Sequence, residues 1–336
     1  MSAVSIRGES IAASCSANLL AQAGVACVQE KISRPKLPAI MISAASQHLL
    51  SDVFPQANLF EGFPQIHRRV VKWGAASPVV ELPHSAVVAS EETLLQRMER
   101  VLPSLPPSIT TSPAEWSILS ARPLPAPSEE IHFGARLGTA TQVALVPNCP
   151  TETSWVESLA NGWLFLLQGG AQNWLLSVGG PVQSLLAESS LIAPQILKLE
   201  GNGQSFPCHP RIAEPICGSG WLACGSAALG FDPLCGDGSG HAAREAILAT
   251  AVVRAALQGG NINHLTAHYR ARLIAGLHRH LETCAAFYQS AAGGGIWWDE
   301  QVRATEVGLQ WCRPRIPAND QFKYRLEGFS LHALSS

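Results

Sequence analysis

Residues 225–241 read Gly225-Ser226-Ala227-Ala228-Leu229-Gly230-Phe231-Asp232-Pro233-Leu234-Cys235-Gly236-Asp237-Gly238-Ser239-Gly240-His241, and the alanine-rich run Ala242 to Leu257 follows directly. Glycine opens backbone regions closed to other residues and proline fixes φ, so the segment must turn tightly and then start a helix. The first N–H groups of that helix have no partners within it and point back at the turn, where they can hold a polar, anionic group. Gly218 to Ala223 reads as the strand that feeds the turn. The first thirty residues read as strand, small-residue turn, helix and second strand ending at Glu30, so the two halves of the chain look like parts of one cofactor site.

At 336 residues the chain is long enough to bury a large core and to hold two domains. A 47% hydrophobic share, a 14% charged share and a formal net charge of -2 argue against nucleic acid or an anionic membrane surface as a partner. The nine cysteines include no CxxC pair, and with no signal-peptide pattern they read as mostly buried reduced thiols. The longest apolar stretch, Trp163 to Val178, is broken by Gln168, Gly169, Gly170, Gln172 and Asn173 and cannot span a bilayer. The expected compartment is cytoplasmic.

The N-terminal unit is a βαβ opening: Ala3 to Ile6 as a strand, Ala12 to Ala23 as a helix closed by Gly24, and Val25 to Glu30 as a second strand. Dinucleotide-binding units of this kind place GxGxxG in the first turn and an acidic residue at the end of the second strand. Gly8 keeps the first glycine, Ser10 and Ala13 take the other two places, and Glu30 has the position of the ribose-binding acid. Ala13 adds one methyl at a helix–strand contact. Ser10 adds a side chain where backbone should approach a pyrophosphate, and Glu9 adds a negative charge beside it. Two readings stand for this segment alone: a degenerate dinucleotide turn, or an ordinary βαβ unit that binds no nucleotide.

Together the two segments resemble the FAD-dependent monooxygenases of the para-hydroxybenzoate hydroxylase and tryptophan halogenase group. In that group a late GDAAxxxDPxxGxG motif contacts the flavin ribityl chain and pyrophosphate and starts a helix under the isoalloxazine. The chain matches at Gly225, Ala227, Ala228, Asp232, Pro233, Gly236 and Gly238, and departs at Ser226, where the group has Asp. Within the group, Pro38 to Ser43, Arg69 to Gly74, Phe133 to Arg136, Asn161 to Leu166 and Leu185 to Ser189 look like the flavoprotein maturases that modify a tryptophan on the way to a protein-derived quinone cofactor. The resemblance implies FAD as cofactor, held by Gly8, Ser10, Ala13 and Glu30 on the ADP half and by Gly225, Ser226, Asp232, Pro233, Gly236 and Gly238 on the pyrophosphate and ribityl side. It implies an aromatic substrate, with a tryptophan in a partner amine or amino-acid oxidase as one candidate, and an external flavin reductant. Flavin halogenases carry WxWxIP, which would fall near Gly162 to Leu167 and is absent, and the halogenase lysine has no counterpart.

The resulting fold class is α/β: a Rossmann-like FAD-binding domain, an interleaved α+β substrate domain with a mostly antiparallel sheet, and a C-terminal helical segment. The expected boundaries are 1–36, 84–124 and 206–260 for the FAD-binding domain, 37–83 and 125–205 for the substrate domain, and 261–336 for the helical segment. Alternation in His67 to Trp73 and Val79 to Leu82 predicts half-exposed strands, and Gln142 to Pro147, Trp163 to Leu167 and Asn173 to Val178 add three more. Ser90 is an expected N-cap for a helix carrying Leu94, Leu95, Met98 and Val101. Prolines 103, 106, 107, 113, 123, 125 and 127 mark a linker-like zone in which only Trp116 to Leu119 reads as a strand. Val182 to Ser190 predicts a helix, and Asn263 to Tyr288 one long amphipathic helix, broken by Gly293 to Gly295.

Among single residues, His241 falls in the first helical turn near the expected isoalloxazine and is the one weak catalytic candidate, although lone histidines are more often structural. Asp237 suits capping of that helix. His278 and His280, two apart on a helix, diverge and argue against a metal site. Cys208 and Cys235 read as buried or loop cysteines rather than catalytic thiols. Trp297-Trp298 suits an aromatic lid or partner surface and a core equally. The leading reading is an FAD-dependent hydroxylase of an aromatic substrate. The alternatives are a flavin-poor binding or maturation scaffold, motivated by Ser10, Ala13 and Ser226, and a flavin-dependent halogenase, which the missing tryptophan motif disfavours.

Overall fold

A computed structural model describes residues 4–74, 77–102, 114–170, 172–291, 295–318 and 322–334. The chain runs β1 (Val4–Arg7), α1 (Ile11–Gln22), β2 (Cys27–Glu30), β3 (Ile40–Ser43), α2 (Ala44–Val53), β4 (Gln65–Lys72), β5 (Val80–Ala89) and α3 (Glu91–Val101). Next come β6 (Trp116–Leu119), β7 (Glu129–His132), β8 (Leu137–Leu145), β9 (Thr153–Leu159), β10 (Gly162–Gln168), β11 (Asn173–Gly179) and α4 (Val182–Glu188). It continues with β12 (Ile196–Pro207), β13 (Arg211–Glu214), β14 (Cys217–Gly218), β15 (Trp221–Ala223), β16 (Leu229–Gly230) and α5 (Gly238–Leu257). It closes with α6 (Ile262–Ala291), α7 (Ile296–Cys312), β17 (Tyr324–Glu327) and β18 (Ser330–Ala333).

Two sheets organise these elements. The first has the order β14-β15-β6-β1-β2, with β15, β6, β1 and β2 mutually parallel. Parallel strands are buried on both faces, and Val4, Ile6, Ile118 and Leu222 are fully buried here. α1 and α5 pack on this sheet and on each other; Ala12, Ala13, Ala17, Ala243, Ala246 and Ala249 keep the helices thin enough for close approach. The second sheet has the order β12-β8-β11-β10-β9-β4-β5-β3 and is antiparallel except where β4 runs parallel to β9. The fold is therefore the expected one: a Rossmann-like α/β unit, a second unit built on a mostly antiparallel sheet, and a C-terminal helical segment.

Several local readings hold. β6 spans Trp116–Leu119 as predicted, Ser90 caps α3 by accepting from the Thr93 amide, and α6 covers the long amphipathic stretch. Prolines 103 to 113 and the glycines at 293 and 294 lie outside the described residues. Others change. Gly218 to Ala223 is not one strand but β14 and β15, antiparallel and turned at Gly220. Within the expected C-terminal helical segment, α7 buries Gln301 and Thr305 among its inward residues, so polar groups on the buried face hide its apolar period. β9 is hidden in the sequence by a charged residue near its centre, Glu157, which is fully buried and accepts from the amides of Ser190, Leu191 and Ile192. Trp298 is core rather than lid, packed against Trp73 and Trp297 with its Nε1 donating to the Leu159 carbonyl at 2.8 Å. No helix among the described residues is long and apolar enough to cross a membrane.

Candidate functional site

β1 is the first strand of the parallel sheet, and its two neighbours, β2 and β6, lie on opposite sides of it. The strand order thus reverses at β1, and open α/β sheets bind ligands at the carboxyl ends beside such a reversal. Arg7, Leu119 and Ala223 end β1, β6 and β15 in register, so the turn before α1, Ser120 and Gly225 all emerge at one edge.

At the first turn Ser10 is the N-cap of α1. Its Oγ accepts from the Ala13 amide at 3.2 Å and donates to Ser120 Oγ at 3.0 Å, and Ser120 Oγ donates to the Arg7 carbonyl at 3.1 Å. The serine side chain is therefore folded into the turn and buried, and the obstruction expected from it is not present. Glu9 is held by Lys36 Nζ at 2.7 Å; that hydrogen bond, against some burial, keeps its carboxyl below the ordinary range and neutralises the charge beside the turn.

The late motif meets this turn directly. Gly225 has φ +58°, and a Cβ there would lie 3.0 Å from Ala12 Cβ, so only glycine fits against α1. Its amide donates to Glu245 Oε2 at 2.7 Å. Burial raises the Glu245 carboxyl to about 8, only partly offset by the Gly225 amide, and Oε1 has no partner. Ser226 is exposed, and its carbonyl accepts from Arg211 at 2.8 Å. Asp232 turns its carboxylate inward: Oδ2 pairs with the Arg136 guanidinium, Nη2 at 2.8 Å, and accepts from the Tyr288 hydroxyl at 2.6 Å, and Oδ1 accepts from the Leu234 amide. Gly236, at φ +60°, reverses the chain before α5.

Asp237 occupies the N-cap of α5 but does not cap it, because its carboxylate is taken by Ser46 Oγ and Arg244. The first amides of this 20-residue helix receive no side-chain cap, and they face a cavity of about 460 Å³. Ser10, Gly225, Ser226, Asp232, Pro233, Gly236, Gly238 and His241 line it; Gly8, Ala13 and Glu30 do not. Ala13 is buried in the helix–sheet contact, and Glu30 is exposed at the sheet edge with Arg7 Nε at 3.4 Å. The facing wall, Phe165, Leu167, Trp174, Leu176 and Phe206, comes from the second sheet. His241 stacks on Phe231 with centroids 3.9 Å apart, and burial lowers it to about 4, so the imidazole is neutral at pH 7.

Three groups escaped the sequence. Glu245 stands alone as an acid among apolar helix residues, which was a readable signal. Arg136 shows its role only through its contact with Asp232, 96 residues away. Cys235 is not an isolated loop cysteine: its Sγ lies 3.7 Å from Cys284 Sγ, which lies 3.4 Å from His280 Nε2.

Comparison with protein-family models and with curated proteins gives no match. Solved structures do match. A peptidyl tryptophan dihydroxylase, QhpG, essential for tryptophylquinone cofactor biogenesis, aligns at TM-score 0.71 and 16% identity over 89% of this chain and 78% of its own. The flavin-dependent halogenase CmlS aligns at 0.75 and 15% over 92% and 70%, and the myxobacterial chondrochloren halogenase CndH, an FAD-dependent halogenase, at 0.70 and 12% over 94% and 90%. Identities this low establish the fold alone. The chain shares the fold of these flavin-dependent enzymes.

Proposed function

We propose that the protein binds FAD in the cavity between its two sheets and hydroxylates an aromatic substrate, with a tryptophan of a partner oxidase protein as the leading candidate and an external reductant supplying electrons. The observation that carries this reading is the cavity itself, which sets uncapped helix amides and a glycine turn against an aromatic and aliphatic wall. The choice of peptidyl tryptophan draws on the structural likeness to the tryptophan dihydroxylase.

The donor set fits a flavin dinucleotide. The amides at the start of α5, with those of Ile11 and Ala12 at the start of α1, offer N–H groups and positive dipole ends to a diphosphate. The closeness of Gly225 to Ala12 keeps the floor free of side chains, and the pairing of Glu9 with Lys36 removes a repulsive charge. FAD, when bound, supplies the redox and oxygen chemistry. The protein's part is orientation and dryness: the wall from Phe165 to Phe206 excludes water and receives an aromatic ring, Glu245 offers a protonated carboxyl rather than a charge, and His241 offers a neutral imidazole that can carry a proton.

The test is the visible spectrum of the purified protein, then FAD titration and release of cofactor by denaturation. Bound or bindable flavin, followed by oxygen incorporation into an aromatic or tryptophan-containing peptide independent of chloride, is the expected result. No flavin at saturating FAD sinks the proposal and points to a scaffold that keeps the fold. Turnover that requires chloride points to halogenation.

A further inference from the structure

We propose that Cys235 and Cys284 form a peroxide-responsive dithiol in the wall of the cavity, with Cys235 as the attacking sulfur and Cys284 as the resolving one. The two Sγ atoms are 3.7 Å apart, and a disulfide needs about 2.04 Å. Cys235 is partly open and lines the cavity, whereas Cys284 is fully buried behind it on α6. Gly236, directly after Cys235, leaves that backbone the freedom to close the remaining gap.

The surroundings separate this pair from the other seven cysteines. The contact between the two thiols holds Cys235 below the ordinary thiol range, and the same contact, with burial, raises Cys284. Burial raises all the others, Cys15, Cys27, Cys149, Cys208, Cys217, Cys224 and Cys312. The Asp232 amide donates to His280 Nε2 at 2.8 Å, which fixes Nε2 as an acceptor facing the thiols. Arg136 and Asp232 are the other charged groups beside the pair, and they neutralise each other. The three donor atoms lie within 4.8 Å of one another, a spacing a soft cation accepts. An ion on Nε2 would strip the Asp232 amide of its partner, which favours thiol chemistry.

The reaction consumes one hydrogen peroxide. The Cys235 thiolate attacks one peroxide oxygen; the S–O bond forms, the O–O bond breaks, and hydroxide leaves and takes up a proton as water. Cys284 then attacks the Cys235 sulfur and gives up its thiol proton. The S–S bond forms, the S–O bond breaks, and the departing hydroxide takes that proton as a second water. Two thiols are oxidised by two electrons and the peroxide is reduced.

The experiment treats the full-length, chelator-washed protein with one equivalent of hydrogen peroxide, alkylates it and maps peptides by mass spectrometry. A Cys235–Cys284 crosslink, reversed by dithiothreitol, is expected as the main product. In Cys284→Ala the sulfenic acid at Cys235 should persist and be tagged by dimedone, and in the wild type Cys235 should be alkylated at least about tenfold faster than any other cysteine. The wild-type crosslink does not depend on that variant folding. Absence of the crosslink, or modification of Cys235 no faster than of the other seven, overturns the proposal. So does tight retention of one Zn²⁺ that blocks oxidation and is lost in Cys235→Ser.

Discussion

Glu245 Oε2 accepts the Gly225 amide at 2.7 Å while Oε1, buried beside it, has no partner. The carboxyl therefore ties the late glycine turn to α5 and is most stable with its proton on. Its value of about 8, against an ordinary 4.5, makes folding depend on pH. The native state holds a proton that the unfolded chain has released, so this contribution is complete below about pH 4.5 and is lost as pH rises toward 8. Glu245→Gln, which mimics the protonated acid, should match the wild type at pH 5 and exceed it at pH 8 by up to about 4 kcal/mol. Urea midpoints at the two pH values check this, and parallel curves would rule it out.

Arg136 and Asp232 are both almost fully buried, and each depends on the other for charge balance. Asp232→Asn or Arg136→Met alone should cost about 3–5 kcal/mol, because each leaves one charge uncompensated. The double variant Arg136→Met/Asp232→Leu should recover much of that loss. Additive single costs in a denaturation cycle would contradict the pairing. Tyr288→Phe, which removes a hydrogen bond to the carboxylate, should cost about 1.5–3 kcal/mol.

Gly225→Ala places a methyl against Ala12 and a side chain at positive φ. The expected loss is about 1–2 kcal/mol of stability, with FAD affinity falling at least about tenfold as α1 and the late turn are pushed apart. Fluorescence titration with FAD measures the second quantity; unchanged affinity would mean that the two turns do not share one ligand.

Lys36→Met frees the Glu9 carboxylate beside the first turn. FAD affinity should fall roughly three- to tenfold, with the loss shrinking as salt is raised, since the added repulsion is between partly exposed charges. A salt-independent loss would instead indicate that Lys36 acts by packing.

The elements governed by local physics were legible in the sequence. Short β-branched runs determined β1 and β2, an alanine- and leucine-rich run closed by Gly24 determined α1, glycine and proline determined the late turn, and Ser90 determined the start of α3. The site needed tertiary structure wherever a side chain had a choice of partners. Ser10 looks like an obstruction in the chain, but it is an N-cap once Ser120 arrives beside it from β6. Asp237 reads as a cap until Ser46 and Arg244 draw its carboxylate away and leave the helix amides open. Asp232 is placed by a turn that the sequence dictates, yet only the approach of Arg136 and Tyr288 from other elements directs its charge into the core. Cys235 and Cys284, 49 residues apart, become a pair because α6 folds back across the turn. Periodicity and turn chemistry act between neighbours along the chain, whereas charge compensation and thiol pairing act between groups that only the folded packing brings within reach.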